Sequence, residues 1–373
     1  MSWNDHHSNS EQFSAEAERM GISGDKANAE SLYCQAAEEE VLAFDALGED
    51  KIRTRGITAV SAVALFYKGH AYAHAEQLAY RLLSTSLPSF ASEQLRNLLQ
   101  IIWTTESAHR AGIKFVSGDV LVSVKGGQVI HGGAPLNLIM QRVEGIQAVL
   151  FRTVEMLLER PFRKRGGPDS EIQDMFKPWL FQAPAGSYQF AVRMQEPEQG
   201  ILWEASRPKL EEVTRTFFTV LRASTKNPET DLPPLVPDVD YRGAFLKLAR
   251  SLAPSGNTFD RLEICDASAP AEPLVTFGVD TRSGLNGAIR KLKPNLSAVD
   301  AVETSISGTL RAVHLDEDWL EITQAGDPPK HVRIEDAGEA LDDVIGPMVN
   351  HRVIVFAVQR GQKLSYRDIE STE

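Results

Sequence analysis

Cysteine is scarce: only Cys34 and Cys265 occur in 373 residues, far apart and outside any CxxC or Cys/His cluster. That scarcity excludes a disulfide framework and a four-cysteine zinc site, fits a reducing compartment, and leaves both thiols as structural residues. Long apolar runs are missing too. A membrane-spanning helix needs about 18 uninterrupted apolar residues, whereas the most apolar stretch, 57–66, is short and is followed by Lys68 and His70. Residues 1–24 are polar and acidic, without the basic start and apolar block of a secretory leader, so the expected location is the cytoplasm, with no membrane partner. Positive charge is in deficit: 51 acidic residues against 39 basic give a net charge of −12. Such a balance opposes general binding to a phosphate backbone, which depends on Lys and Arg displacing counterions.

The familiar catalytic signatures are absent as well. There is no G-x-S-x-G elbow, no G-x-x-x-x-G-K-[ST] loop, no G-x-G-x-x-G fingerprint and no H-E-x-x-H pair. His74-Ala75-Glu76 is an H-x-E triplet, but the P-C-x-x-C element that would supply thiolate ligands in a zinc deaminase is lacking. No cofactor and no catalytic residue is therefore expected, and the balance of the reading leans away from an enzyme.

What is present is an ordinary globular composition, 42% hydrophobic and 24% charged, in a chain longer than one core usually sustains, so two or three domains are expected. Charge is distributed unevenly. Residues 1–117 carry 10 basic and 15 acidic side chains and residues 301–373 carry 7 and 14, while the middle is balanced at 22 each. A basic contact surface is therefore to be sought in the middle.

Hydrophobic spacing predicts consecutive helices over 28–111, beginning with the stripe Leu32, Tyr33, Ala36, Ala37, Val41 and Phe44, with Glu38, Glu39 and Glu40 largely off it. Further helices cover about 52–67, up to Leu83, and 90–111, with Pro88 as a stop. The period then shortens. Val120, Val122 and Val124 alternate before Gly126-Gly127, and 128–131 reads as the returning strand of a hairpin. A long helix follows Pro135 to about Glu159, then strands at 179–182 and 188–194 around the turn 184–187, giving ββαββ. Helices near 209–223 and 241–252 flank a proline-rich connector, 227–237, read as extended. Strands near 261–265 and 274–279 and a helix near 285–292 precede Pro294. The last segment reads βββαββ, with strands at 302–314, 319–323, 331–335, 352–359 and 363–369. The expected fold class is thus multidomain α+β: a flexible acidic tail (1–24), an N-terminal helical bundle (25–116), a central α+β layer (117–298) and a C-terminal small β-barrel (299–373).

Two partial resemblances attach to these segments. The helices over about 60–110, with Tyr67, Tyr80 and Pro88 near the motif's aromatic and proline positions, resemble a tetratricopeptide-type helical hairpin, which implies a protein-binding surface. No second copy appears about 34 residues on, and an ordinary helical bundle is the alternative. The βββαββ order over about 299–373 resembles the OB-fold, whose helix falls between the third and fourth strands; this implies an oligonucleotide, sugar or protein face. The segment is acidic and offers only Trp319, Phe356 and Tyr366 for stacking, which favours a protein contact.

Candidate sites are few. His70 and His74, four apart on an expected helix, are the candidate metal ligands. Gly132-Gly133-Ala134-Pro135 is either an anion-binding helix start or a tight strand-to-helix turn. The pairs Asp238/Asp240 and Asp316/Asp318 are either cation ligands or, for the second, a solvated hairpin turn. The densest feature is Arg160, Arg163, Lys164 and Arg165 beside Phe162, followed by Gly166-Gly167. Its simpler reading is a capped helix end and solvated loop, its sharper one a contact for an anion or an acidic protein.

The function expected from these features is a non-enzymatic cytosolic interaction or regulatory protein, a subunit or adaptor of a protein complex. A toxin-neutralising or phage-defence accessory in a bacterium would have a compatible architecture. The alternatives are a nucleic-acid or nucleotide sensor using the loop 160–165 and a metal-dependent hydrolase using His70 and His74.

Overall fold

The computed structural model describes residues 2–113, 115, 120–130, 132–182, 188–195, 208–255, 258–266, 273–292, 302–337 and 341–372. The turn expected at 184–187 and the stop expected at Pro294 lie outside these residues. The fold is mixed α+β, with helices at the N-terminus followed by two five-stranded sheets, as the composition and periodicity predict. The chain divides into two compact units, Met1–Lys114 and Phe115–Glu373. The second unit holds both the central layer and the barrel.

The first unit is five helices: α1 (Trp3–Ser23), α2 (Lys26–Asp45), α3 (Ile52–Lys68), α4 (Tyr72–Leu83) and α5 (Ser89–Arg110). The expected acidic tail is the first correction, because residues 3–23 form α1. A reciprocal capping box between Ser2 and Asp5 starts it and Gly24, at φ 88°, ends it. Polarity misled here because α1 docks through small and hydrogen-bonding side chains rather than large apolar ones. Ser10 and Ala17 are buried, His6 reaches Glu39 at 2.7 Å, and His7 reaches Glu40 at 3.0 Å. Glu40, expected largely off the apolar stripe of α2, stands four residues from both Ala36 and Phe44 and is buried with them, where His7 of α1 meets it. The other helices share a core of Phe44, Val63, Leu78, Leu82, Leu95 and Ile102. Close approach is enforced at Gly69, where an added Cβ would lie 2.6 Å from Cys34 Sγ.

In the second unit, β1 (Val120–Lys125) is followed by α6 (Leu136–Leu157), α7 (Ser170–Met175), β2 (Pro178–Gln182), β3 (Tyr188–Met194), α8 (Leu210–Lys226), α9 (Leu232–Leu235), α10 (Val239–Leu252), β4 (Arg261–Asp266), β5 (Val275–Phe277) and α11 (Val279–Leu292). The five strands make one sheet in the order β2-β3-β1-β4-β5. The expected hairpin at 120–131 does not form. Gly126 and Gly127, both at positive φ, turn the chain out of the sheet and onto residues 258–260, where Gln128 N–H donates to the Thr258 carbonyl. β1 instead becomes the central strand, antiparallel to both β3 and β4. Its alternation still holds: Val120, Val122 and Val124 join the core with α6, α8 and α10. The connector 227–237 is corrected as well, since Pro233 and Pro234 sit in the first turn of α9, where a fixed φ favours helix.

The barrel comprises β6 (Val302–His314), β7 (Trp319–Gln324), β8 (Lys330–Glu335), β9 (Arg352–Arg360) and β10 (Lys363–Ser371), closed in the order β10-β8-β7-β6-β9. Only the β8–β10 pairing is parallel, and the short helical segment 341–348 falls between the third and fourth strands, as the OB-fold resemblance implies. A register shift between Tyr366 and Asp368 has a structural effect. Tyr366 and Ile369 both face the barrel interior although three apart, so the bulge leaves Asp368 pointing out of the barrel.

Candidate functional site

The basic loop follows α6 and runs beneath the barrel. Glu155, on the buried side of α6, and Asp343, in the barrel's helical segment, each accept from two arginines. Arg152, fully buried, donates from Nε to Asp343 at 2.7 Å and from Nη1 to Glu155 at 3.2 Å. Arg163 donates from Nε to Glu155 at 2.7 Å and from Nη2 to Asp343 at 3.3 Å. The result is a closed ring of two cations and two anions, with Phe162 stacked on the Arg152 guanidinium at 4.8 Å. Arg165 bonds Asp318 at the β6–β7 turn, and Arg160 pairs with Glu171 at 3.4 Å while its carbonyl accepts from Tyr241 Oη. Three of the four expected contact cations are thus engaged by the chain's own carboxylates, two of those carboxylates in the barrel. The acidic partner suggested for this loop is in the same molecule. Lys164 is exposed and makes no ion pair among the described residues.

A second tie lies on α10. Arg250, 2% exposed, meets Asp368 through two hydrogen bonds of 2.5 and 2.9 Å and also donates to the Ile369 carbonyl at 2.7 Å. Burial alone would lower the Arg250 pKa and raise that of Asp368. Their mutual charge outweighs it, so Arg250 stands above and Asp368 below its ordinary value.

Between these two ties, α6, α10 and the barrel enclose a cavity of about 460 Å³ that includes Arg142, Arg163, Arg250 and Arg282 in its wall. A second cavity, about 580 Å³, lies between α10, α11 and strands β6, β9 and β10, and Lys247 borders both. Sequence reasoning passed over Arg142, Arg152, Glu155 and Arg250. Their signal was nonetheless present, because Arg142 stands four residues from Leu138 and from Ile146, on the apolar stripe of α6. A charge on a core stripe is held there by a partner or a ligand.

The other candidates are placed as follows. His70 and His74 do not share a helix face. The chain breaks at Gly69, His70 adopts φ 55°, and α4 starts at Tyr72, so the spacing-based metal pair is lost. His70 pairs with Glu30 at 3.0 Å and His74 stacks on Phe66. Among the described residues no group of three metal-ligating side chains converges. Asp238 caps α10 by accepting from the amides of Asp240 and Tyr241. Asp318, at φ 57°, forms the expected turn. The Gly133 amide is taken by the Ile130 carbonyl, which makes 132–135 a strand-to-helix turn. Cys265 is buried, and burial raises both the Cys34 and Cys265 thiol pKa values.

On the first unit, three large aromatic side chains are exposed on adjacent helices: Tyr80 of α4 at 52%, and Trp103 and Phe90 of α5 at 40% and 38%. Glu76, one turn from Tyr80, accepts the Trp103 indole N–H at 2.7 Å and fixes that ring.

No family model matches the chain, and no curated protein or solved structure is detectably similar to it. Among the described residues no helix is long and apolar enough to cross a membrane.

Proposed function

We propose that the protein is a non-enzymatic, cytoplasmic interaction protein, an adaptor or regulatory subunit whose helical unit docks a protein partner. The observation that carries this reading is the exposure of Tyr80 on α4 and of Trp103 on α5, with the Trp103 ring held by Glu76. Trp and Tyr contribute most of the energy at protein interfaces, because a large rigid ring is buried at little entropic cost while its polar edge keeps a hydrogen bond. Trp103 is already held by Glu76, so little ordering remains to be done on binding. The second unit is compatible with the same role as a body tied across its layer–barrel seam by ion pairs. Its basic loop does not serve as a nucleic-acid surface in this reading, since Arg163 and Arg165 answer carboxylates of their own chain.

The test is a tagged pull-down from the native host, with and without nuclease, using the wild-type chain and the Tyr80→Ala/Trp103→Ala double variant. The reading predicts a stoichiometric protein partner that survives nuclease and is lost with the variant, at unchanged fold. Recovery that collapses with nuclease, or turnover of a defined substrate abolished by one side-chain change, contradicts it.

A further inference from the structure

The buried arginines of the seam are not equivalent. Arg152 and Arg250 each meet carboxylates, whereas Arg142 meets none among the described residues. Arg142 is 6% exposed, its guanidinium donates to the Ser251 carbonyl and lies 5.0 Å over the Phe259 ring, and its Nε is buried without a partner. The charge acting on it is that of another cation, Arg282 of α11. Arg282 donates to the Arg250 and Ser371 carbonyls, both at 3.3 Å, and forms no ion pair among the described residues. Burial first, and then the charge of Arg282, pull the Arg142 pKa down from its ordinary value to about 10. Burial and the charge of Arg250 lower Arg282 as well, against the opposite pull of Glu370 and Asp368. Two cations that form no ion pair among the described residues therefore face one cavity, Arg142 buried and Arg282 offset only in part by Glu370 and Asp368, an arrangement that is costly to fold unless an anion completes it.

We infer that this cavity binds the phosphate group of a small phosphorylated organic molecule, with Arg142 and Arg282 holding the phosphate oxygens. Charge favours phosphate over a single carboxylate: a phosphomonoester carries about −1.5 to −2 at neutral pH, which balances two guanidiniums. Size argues for an organic body. A cavity of about 460 Å³ lies in the range that takes small-molecule ligands, and a bare oxyanion would leave most of it open. Phe151, Val344, Pro347 and Met348 supply apolar wall for that body. Of the acidic lining, Asp343 is held by Arg152 and Arg163, Glu370 stands 3.6 Å from Arg250 and also acts on Arg282, and Glu144 is exposed, so none of the three forms an ion pair with Arg142 among the described residues. Because the walls come from α6, α10 and the barrel, occupancy tightens the same seam that the two ion-pair ties hold. The site is independent of the aromatic pair on the helical unit, so either can fail alone.

The experiment is thermal shift and calorimetric titration of the full chain with adenosine 5′-monophosphate, glucose 6-phosphate, inorganic phosphate and succinate. At least one of the two phosphomonoesters should bind at millimolar concentration or below and raise the melting temperature more than inorganic phosphate or succinate does. Arg282→Gln, a partly exposed position, should weaken that binding about ten- to a hundredfold, the loss expected for charge-assisted hydrogen bonds. Arg142→Met should be at least as stable as wild type without ligand and lose the response. No binding of either phosphomonoester overturns the proposal, as does equal stabilisation by succinate or phosphate, an adventitious ion only. Unchanged affinity in Arg282→Gln overturns it even where Arg142→Met fails to fold.

Discussion

Asp368→Asn removes one half of the tie between barrel and α10 while preserving its shape. Arg250 is 3% exposed and Asp368 15%, and their two hydrogen bonds measure 2.5 and 2.9 Å. Losing the carboxylate leaves the guanidinium buried with neutral partners, the Ile369 carbonyl and Asn286 Oδ1, and with Glu370 at 3.6 Å. Breaking a buried pair typically costs about 3–5 kcal/mol, and the surviving Glu370 places this case near 3 kcal/mol. For a unit of this size that corresponds to a melting temperature lower by about 6–12 °C. Removing both charges together, in Arg250→Met/Asp368→Leu, should cost much less, because no uncompensated charge remains. The pH dependence follows from the depressed Asp368 carboxyl, whose ordinary value is 3.8. A lowered folded-state pKa contributes stability that is complete above the unfolded value and is lost as pH falls through the folded one. The wild type should therefore lose stability below about pH 4 more steeply than Asp368→Asn. Calorimetry of the transition of the second unit across pH measures both effects. A single variant within about 1 kcal/mol of wild type, or a double variant as unstable as the single one, would refute the reasoning.

Three further outcomes are expected. Gly127→Ala should destabilise by about 2–4 kcal/mol in denaturant titration, because non-glycine residues are strained in this region; Gly127 sits at φ +60° and an added Cβ would lie 2.6 Å from the Thr258 carbonyl oxygen. Tyr241, raised chiefly by burial and then by Glu155 to about 12 from 10.0, should make the fold lose about 2–3 kcal/mol as pH rises across that interval. Tyr241→Phe should remove that alkaline slope in chemical unfolding and, at neutral pH, cost about 1 kcal/mol for the bond to the Arg160 carbonyl. Arg163→Ala should lose about 1.5–3 kcal/mol and expose the loop 160–168 to thermolysin, since Arg163 ties Glu155 and Asp343 from that loop.

Much of this architecture was legible as periodicity. The spacing of Leu138, Ile139, Ile146, Val149 and Leu150 describes α6, and the alternation of Val120, Val122 and Val124 describes the core face of β1. The βββαββ order anticipated a small barrel. What periodicity does not carry is partner choice. β1 pairs with β3 and β4 instead of with its immediate neighbour, because two glycines at positive φ turn the chain away. Helix α1 was hidden because its docking uses Ser10, Ala17 and His–Glu pairs, which carry little hydrophobic signal. A run of cations at 160–165 attracts attention, yet most of it is neutralised within the chain. Arg142, which meets no carboxylate among the described residues, is a single charge on an apolar stripe, and only its surroundings in three dimensions distinguish it from Arg152, ten residues further along the same helix.

The central claim, docking through the helical unit, is tested most directly by hydrogen exchange on the recovered complex compared with the free protein. The account predicts slowed exchange at the backbone amides of Tyr72–Leu83 and Ser89–Arg110, reversed in the Tyr80→Ala/Trp103→Ala variant. Protection confined to Phe115–Glu373, with those two helices unchanged, would contradict it.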